Sequence, residues 1–274
     1  MFDTVIEMLS YPFMTRAFLV GSLVALCSAL LGVSLVLKRY SMIGDGLSHV
    51  GFGAMAIAAA MNAAPLTVAI PVVIVAAILL LRISGNAKIK GDAAIALIST
   101  TSLAVGVMVI SLTTGMNTDV YNYMFGSILA MSAEDVKLSL VLSVFVLILF
   151  IVFYHKIFAI TFDETFASAT GVKAGVYNTL IAVLTAVTIV LGMRMMGALL
   201  ISILIIFPAL TSMRVCRTFK SVIINAAVIS VVCLIAGVTL SYVSATPAGA
   251  SVVLANLVMM VLYTVVGAVK NHMR

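Results

Sequence analysis

Residues 17–37 read AFLVGSLVALCSALLGVSLVL, an uninterrupted stretch without a single charge. A helix rises about 1.5 Å per residue, so roughly 20 apolar residues cross the ~30 Å hydrocarbon core of a bilayer. This stretch is long enough, and apolar on every side. It is also too long for the apolar core of a cleavable signal, and acidic Asp3 and Glu7 stand where a signal carries basic residues. It is therefore expected to be a retained first span.

Similar runs recur outward from it. Hydropathy places spans near residues 13–37, 46–64, 65–81, 93–114, 137–155, 176–193, 196–213, 221–244 and 250–269. Turns are expected at Asn62-Ala63-Ala64-Pro65 and at Gly192-Met193-Arg194, and Pro71 and Pro208 fall inside spans. The 274 residues are 64% hydrophobic and 9% charged, with a mean hydropathy of +1.31. Soluble domains run to about 45–50% apolar and about 25% charged. A water-soluble enzyme, a nucleic-acid binder and a disordered chain are excluded. The fold class is an all-α integral membrane protein, a polytopic bundle of eight or nine helices. It forms one transmembrane domain over 1–274 with no soluble domain beside it. Cys27, Cys216 and Cys233 are far apart and show neither CxxC spacing nor a disulfide framework.

The scarce charges give the orientation. Alternate loops hold Lys38 and Arg39; Arg82, Lys88 and Lys90; Lys156 and Lys173; Arg214, Arg217 and Lys220; and Lys270 and Arg274. Only Arg16, Lys137 and Arg194 of the 15 basic residues lie on the other side. The first set therefore faces the cytoplasm, with the N-terminus outside and the C-terminus inside. The net charge of +6 is topology, and points to no nucleic-acid partner.

Two loops exceed a plain turn. The external one, 115–136, has an apolar centre from Tyr123 to Met131 that suggests a short re-entrant or interfacial helix. The cytoplasmic one, 156–175, contains Thr161 and Glu164 at capping-box spacing, and Gly171 as a stop. Between them a helix of about two turns is expected, with Phe162 and Phe166 one turn apart on one face. That face either rests on lipid or docks a cytoplasmic protein.

One ionisable constellation lies inside a span. Asp45 and His49 are four residues apart, hence on one helix face, with Ser48 beside them. Ionisable groups at membrane depth are costly, and they mark ion paths by default. Carboxylate plus imidazole suits zinc and other first-row divalent ions. Two donors do not close a tetrahedral site, but two copies meeting on a two-fold axis would supply four. The plainer readings are that Asp45 caps a helix starting at Gly46, and that His49 bonds a backbone carbonyl. With Arg39 only six residues before Asp45, His49 is expected near the cytoplasmic surface, unless residues 40–46 climb back into the membrane. Gly44, Gly46, Gly51 and Gly53 allow close helix approach or a broken helix. Met193, Met195 and Met196 read as core packing, and Asp92 as the cap of the span at 93. The sequence holds no phosphate-binding loop, HExxH or GxSxG motif, and no second intramembrane carboxylate–histidine centre.

These residues resemble a known family, the membrane permeases of zinc/manganese ABC importers. KRYSMIGDGLSHVGFGAMAIA (38–58) looks like its Gly-Asp-x-x-Ser-His signature. IKGDAAIALISTTSLAVGVMVIS (89–111), YNYMFGSIL (121–129), FDETFASATGVKAG (162–175) and MRMMGALLISILIIFPALTSMR (193–214) are similar to later segments of it. The resemblance implies a homodimeric permease of type II importer-like fold in the cell membrane. It implies a cytoplasmic ABC ATPase docked near 162–171 through Phe162, Glu164, Phe166, Ala167 and Gly171, and an extracytoplasmic metal-binding protein that delivers the ion. It implies that Asp45 and His49 contact the transported metal, zinc first, then manganese or iron, with no permanently bound cofactor and no chemistry performed on the cargo. Against the general coupling pattern E-A-A-x-x-x-G, Ala167 and Gly171 fit, Glu164 stands one residue early, and Thr165 replaces the glutamate. From the residues alone, a secondary transporter driven by a proton or sodium gradient, with Asp45 titrating, is the alternative.

Overall fold

A computed structural model describes residues 10–84, 91–113 and 132–272. Eleven helices follow one another in these stretches: α1 (Pro12–Leu37), α2 (Ile43–Ala60), α3 (Pro65–Ser84), α4 (Gly91–Thr113), α5 (Ala133–Val152), α6 (Tyr154–Phe162), α7 (Glu164–Ala169), α8 (Ala174–Met196), α9 (Ala198–Met213), α10 (Phe219–Ser244) and α11 (Ala248–His272). No strand occurs among the described residues. Eight of the helices are long and apolar enough to cross a membrane, and α9 is shorter. The chain is a multi-pass membrane protein. The re-entrant segment expected at Tyr123–Met131 lies outside the described residues, as do Lys88 and Lys90. The described chain resumes at Ser132, which caps α5 by accepting from the Asp135 N–H.

α1, α2 and α8 form the interior, each more than half buried; α3, α4, α5 and α11 are mostly exposed and form the rim. Between apolar helices in lipid, close packing and small residues bring helices together. A Cβ on Gly32 of α1 would collide with the Ile205 carbonyl of α9, and one on Gly53 of α2 would stand 2.8 Å from the Ser102 carbonyl oxygen of α4. Such backbone-to-backbone contacts admit no side chain. Pro71 and Pro208 lie inside α3 and α9, as expected.

The contacts gather the basic loops at one end. Lys38 pairs with Glu164, Gly267 abuts Arg214, Tyr154 stacks near Phe219, and Leu81 shares a small cavity with Lys38. The first expected hairpin turn is present: Asn62 takes φ 53° between α2 and α3. The second is not where the sequence placed it. α8 runs through Gly192-Met193-Arg194 and ends at Met196, and the break falls on Gly197, with φ 85° and ψ 161°. Gly192 is a contact glycine whose missing side chain admits Ile201 of α9. Gly197 supplies a backbone conformation that is essentially reserved to glycine.

Candidate functional site

α2 starts at Ile43, with Met42 as its cap residue and no side-chain capping hydrogen bond. Asp45 therefore does not cap a helix beginning at Gly46. It stands in the first turn of α2, its side chain 39% exposed. The Ser48 hydroxyl donates to the Asp45 carbonyl oxygen at 2.7 Å, a local bond that leaves the carboxylate uncommitted. His49 follows one turn later, its Nε2 3.7 Å from Asp45 Oδ2, too long for a hydrogen bond. The buried His49 Nδ1 has no hydrogen-bond partner among the described residues. The reading of His49 as tied to a backbone carbonyl therefore fails. A buried polar atom without a partner costs about 1–3 kcal/mol. A pair of nitrogen and oxygen donors held on one face, at such a cost, is a feature to be explained by function.

Contacts set the depth of this pair. Gly32 packs on Ile205, and a Cβ on Gly44 would stand 3.2 Å from the Ile205 Cδ1 and 3.8 Å from the Ser202 Cα. Counting residues from Lys38 up α1 and then along α9, the first turn of α2 stands about 13 Å inside the basic end. His49 is then about 20 Å from the Lys38 level and about 16 Å from Ala60, near the middle of the bundle. Of the two depths the sequence left open, this count favours the inner one, with residues 38–42 climbing inward before α2 begins. The turn has Arg39 at φ 62°.

Beside α2, the backbone of α8 is interrupted at Gly197. A Cβ on Gly51 would sit 2.5 Å from the Met193 methyl group, and one on Gly21 2.8 Å from that of Met196, so α8 ends beside α2 and α1. Gly21 is about 25 Å from the Lys38 level and about 13 Å short of the other end of α1. The Gly197 break is therefore inside the bundle, where it is buried between Met196 and Ala198. Irregular backbone is tolerated at such depth only where protein covers it or a cavity is lined by it. The three methionines before it are fully packed, as expected. Arg194, expected in an external loop, is instead helical and lies 3.6 Å from Asp135 of α5.

At the basic end, α6 ends at Phe162 and α7 covers only Glu164–Ala169. The capping box does not form. The Thr161 hydroxyl donates to the Ile157 carbonyl oxygen inside α6, and Asp163, in extended conformation, caps α7 by accepting from the Phe166 N–H at 2.8 Å. Phe162 and Phe166 therefore belong to different helices and share no helical face. Both remain exposed, at 59% and 66%. Phe162 joins Phe158 and Phe219 in an aromatic cluster with ring centroids 5.0–5.7 Å apart. Ala167 is buried and seats α7 on the bundle. Gly171 ends it as expected, at φ 87°, with Val172 N–H to Ala167 O and Gly171 N–H to Ser168 O both at 3.0 Å, a Schellman motif.

Glu164 lies at the surface, its side chain 51% exposed, and reaches back to the bundle. Its Oε2 accepts from Lys38 Nζ at 3.3 Å, and its Oε1 from Asn178 Nδ2 at 2.9 Å; Lys38 also donates to Asn178 Oδ1, closing a ring of three side chains. Lys38 is 10% exposed there. The sequence gives no sign of this ring, since Lys38 is 126 and 140 residues from its two partners.

Among the described residues, no group of three or more His, Cys, Asp or Glu side chains is placed to hold a metal ion. Among the described residues, one copy of the chain offers the pair Asp45 and His49.

The description "ABC 3 transport family" matches residues 10–267. The chain is 30% identical to a high-affinity zinc uptake system membrane protein of Haemophilus influenzae, over 90% of this chain and 94% of that one. It is 28% identical to a manganese transport system membrane protein of Halalkalibacterium halodurans, over 90% and 85%. The solved structure of PsaBC from Streptococcus pneumoniae in complex with Fab superposes with a TM-score of 0.86 at 27% identity, covering 96% of this chain and 95% of that one.

Proposed function

Because the chain belongs to the ABC 3 transport family, we propose that it is the permease subunit of an ATP-driven importer of a divalent transition metal, zinc first and manganese second. The observation that carries the metal is the Asp45–His49 pair: two donors of the right kind, one turn apart, uncommitted to protein partners and near mid-depth. The relatives named for zinc and for manganese support the same cargo class.

The basic end faces the cytoplasm. A second copy of the chain brings its own Asp45 and His49 to the axis, so that four donors surround the ion. Zinc satisfies itself with four nitrogen and oxygen ligands in tetrahedral array. A site assembled from two copies opens when they separate, which suits a cargo that must leave. A separate ABC ATPase docks on the exposed phenylalanines around α6 and α7, and an extracytoplasmic protein supplies the ion at the opposite end. ATP hydrolysis belongs to the ATPase; this chain alternates access around the axis. The gradient-driven alternative has no observation in its favour and is set aside.

Proteoliposomes test the reading. With the ATPase subunit and ATP inside, and Zn²⁺ and the binding protein outside, uptake should require all components. Uptake by this chain alone, driven by a pH or sodium gradient, would overturn the proposal.

A further inference from the structure

The Lys38–Glu164–Asn178 ring spans three separate parts of the molecule. Glu164 is the first residue of α7, Lys38 follows the last residue of α1, and Asn178 lies in the first turns of α8. The ring also adjoins the start of α2. A cavity of about 20 Å³, the size of one water, is lined by Lys38, Asn178, Tyr40 and Ile43. Thr185 reaches the same cavity with a buried hydroxyl that has no hydrogen-bond partner among the described residues. The polar ring, the cavity and the first residue of α2 are thus continuous.

We infer that Glu164 is a positioning residue: through the ring with Lys38 and Asn178 it clamps α7 to the end of α1, and so hands displacement of α7 to the 38–42 turn that sets the height of Asp45 and His49. This inference rests on the proposed metal-import function for its transport readout. It gives Glu164 a role inward, on the permease, in place of a contact with the ATPase. Glu164 is half exposed, yet three features make the ring a link rather than a simple surface ion pair. Lys38 is nearly buried, so its charge has little water to replace its partners. Both Glu164 carboxylate oxygens are engaged. α7 itself is six residues long, too short to hold its place unaided, and its other anchor is the buried Ala167.

The amide of Asn178 provides the decisive test. It accepts from Lys38 and donates to Glu164. In the exchange Lys38→Glu with Glu164→Lys, the amide need only turn over to satisfy both partners again. The permease–ATPase complex, in proteoliposomes with Zn²⁺, is read for metal taken up per ATP hydrolysed. Lys38→Ala and Glu164→Ala should each keep ATPase co-purification and hydrolysis yet lower that ratio about tenfold, the size of an ordinary coupling energy. The exchanged pair should return it to within about twofold of wild type. A wild-type ratio in either single variant, or an exchanged pair no better than the singles, would overturn the inference. If wild type itself moves no Zn²⁺, the proposed function fails, and the clamp is judged by distance. Spin labels at Leu37→Cys and Ala169→Cys, in a Cys216→Ser background, should give one narrow separation in wild type and the exchanged pair, and a broad one in the singles. Identical distributions throughout would overturn it.

Discussion

His49 and Asp45 carry the argument at the scale of single residues. His49 Nδ1 is buried without a partner and Nε2 is 3.7 Å from Asp45 Oδ2, so neither ring nitrogen is held by the fold. Replacing His49 removes an unsatisfied group as well as a donor, so His49→Ala should leave the purified permease at least as heat-stable as wild type. The same variant, and Asp45→Asn, should each abolish zinc-dependent growth at normal membrane levels of protein. Unchanged growth in either would return that residue to a packing role. Gly197 behaves in the opposite way. Its φ of 85° and ψ of 161° are open to glycine almost alone, so Gly197→Ala should cost about 1–3 kcal/mol. A lowered midpoint of thermal unfolding in detergent reads this; an unchanged midpoint would refute the strain. The pair was legible because two ionisable residues at i, i+4 stand out in a chain with 9% charge. The capping reading of Asp45 fails because the chain turns at 38–42 and α2 has already begun at Ile43.

At the scale of elements, the coupling segment shows what periodicity misses. Thr161, Glu164, Phe162 and Phe166 have spacings of one helix, yet Asp163 breaks the run in extended conformation and takes over the cap. The cap falls two residues later, where the Asp163 carboxylate accepts from the Phe166 N–H while the Thr161 hydroxyl is turned to the Ile157 carbonyl oxygen inside α6. The two phenylalanines consequently present a broader, bent patch with Phe158. Phe166→Asp should abolish co-purification with the ATPase while the permease still folds; retained co-purification would sink the docking claim. Gly171 has open space around it, so Gly171→Ala pays only for the left-handed backbone, about 1–2 kcal/mol. Hydrogen exchange across 164–171 should be faster in that variant, and a wild-type rate would contradict it.

For the whole molecule, the fold class was legible because composition and run length leave few choices once every backbone group must be satisfied in lipid. Sidedness followed from the basic loops, and the structure brings those loops to one end. A cysteine at Lys173 should react with a thiol reagent only after the membrane is permeabilised, and one at Glu134 in intact cells; the reverse pattern would invert the topology. Depth was not legible. It depends on which residues of different helices touch, such as Gly44 with Ser202 and Gly51 with Met193, and hydropathy carries no such information. The ring of Lys38, Glu164 and Asn178 was hidden for the same reason.

The break at Gly197 has a bearing on how the chain is made. α9 has 16 residues, short of the ~20 that partition into a bilayer as an independent segment. Its basic neighbour Arg214 follows at once, and only one residue separates it from α8. As the ribosome delivers it, α9 has no route into lipid except in company with the helix before it. The two should leave the translocation channel as a preassembled pair, and the site beside Gly51 is then completed at a single step of biogenesis.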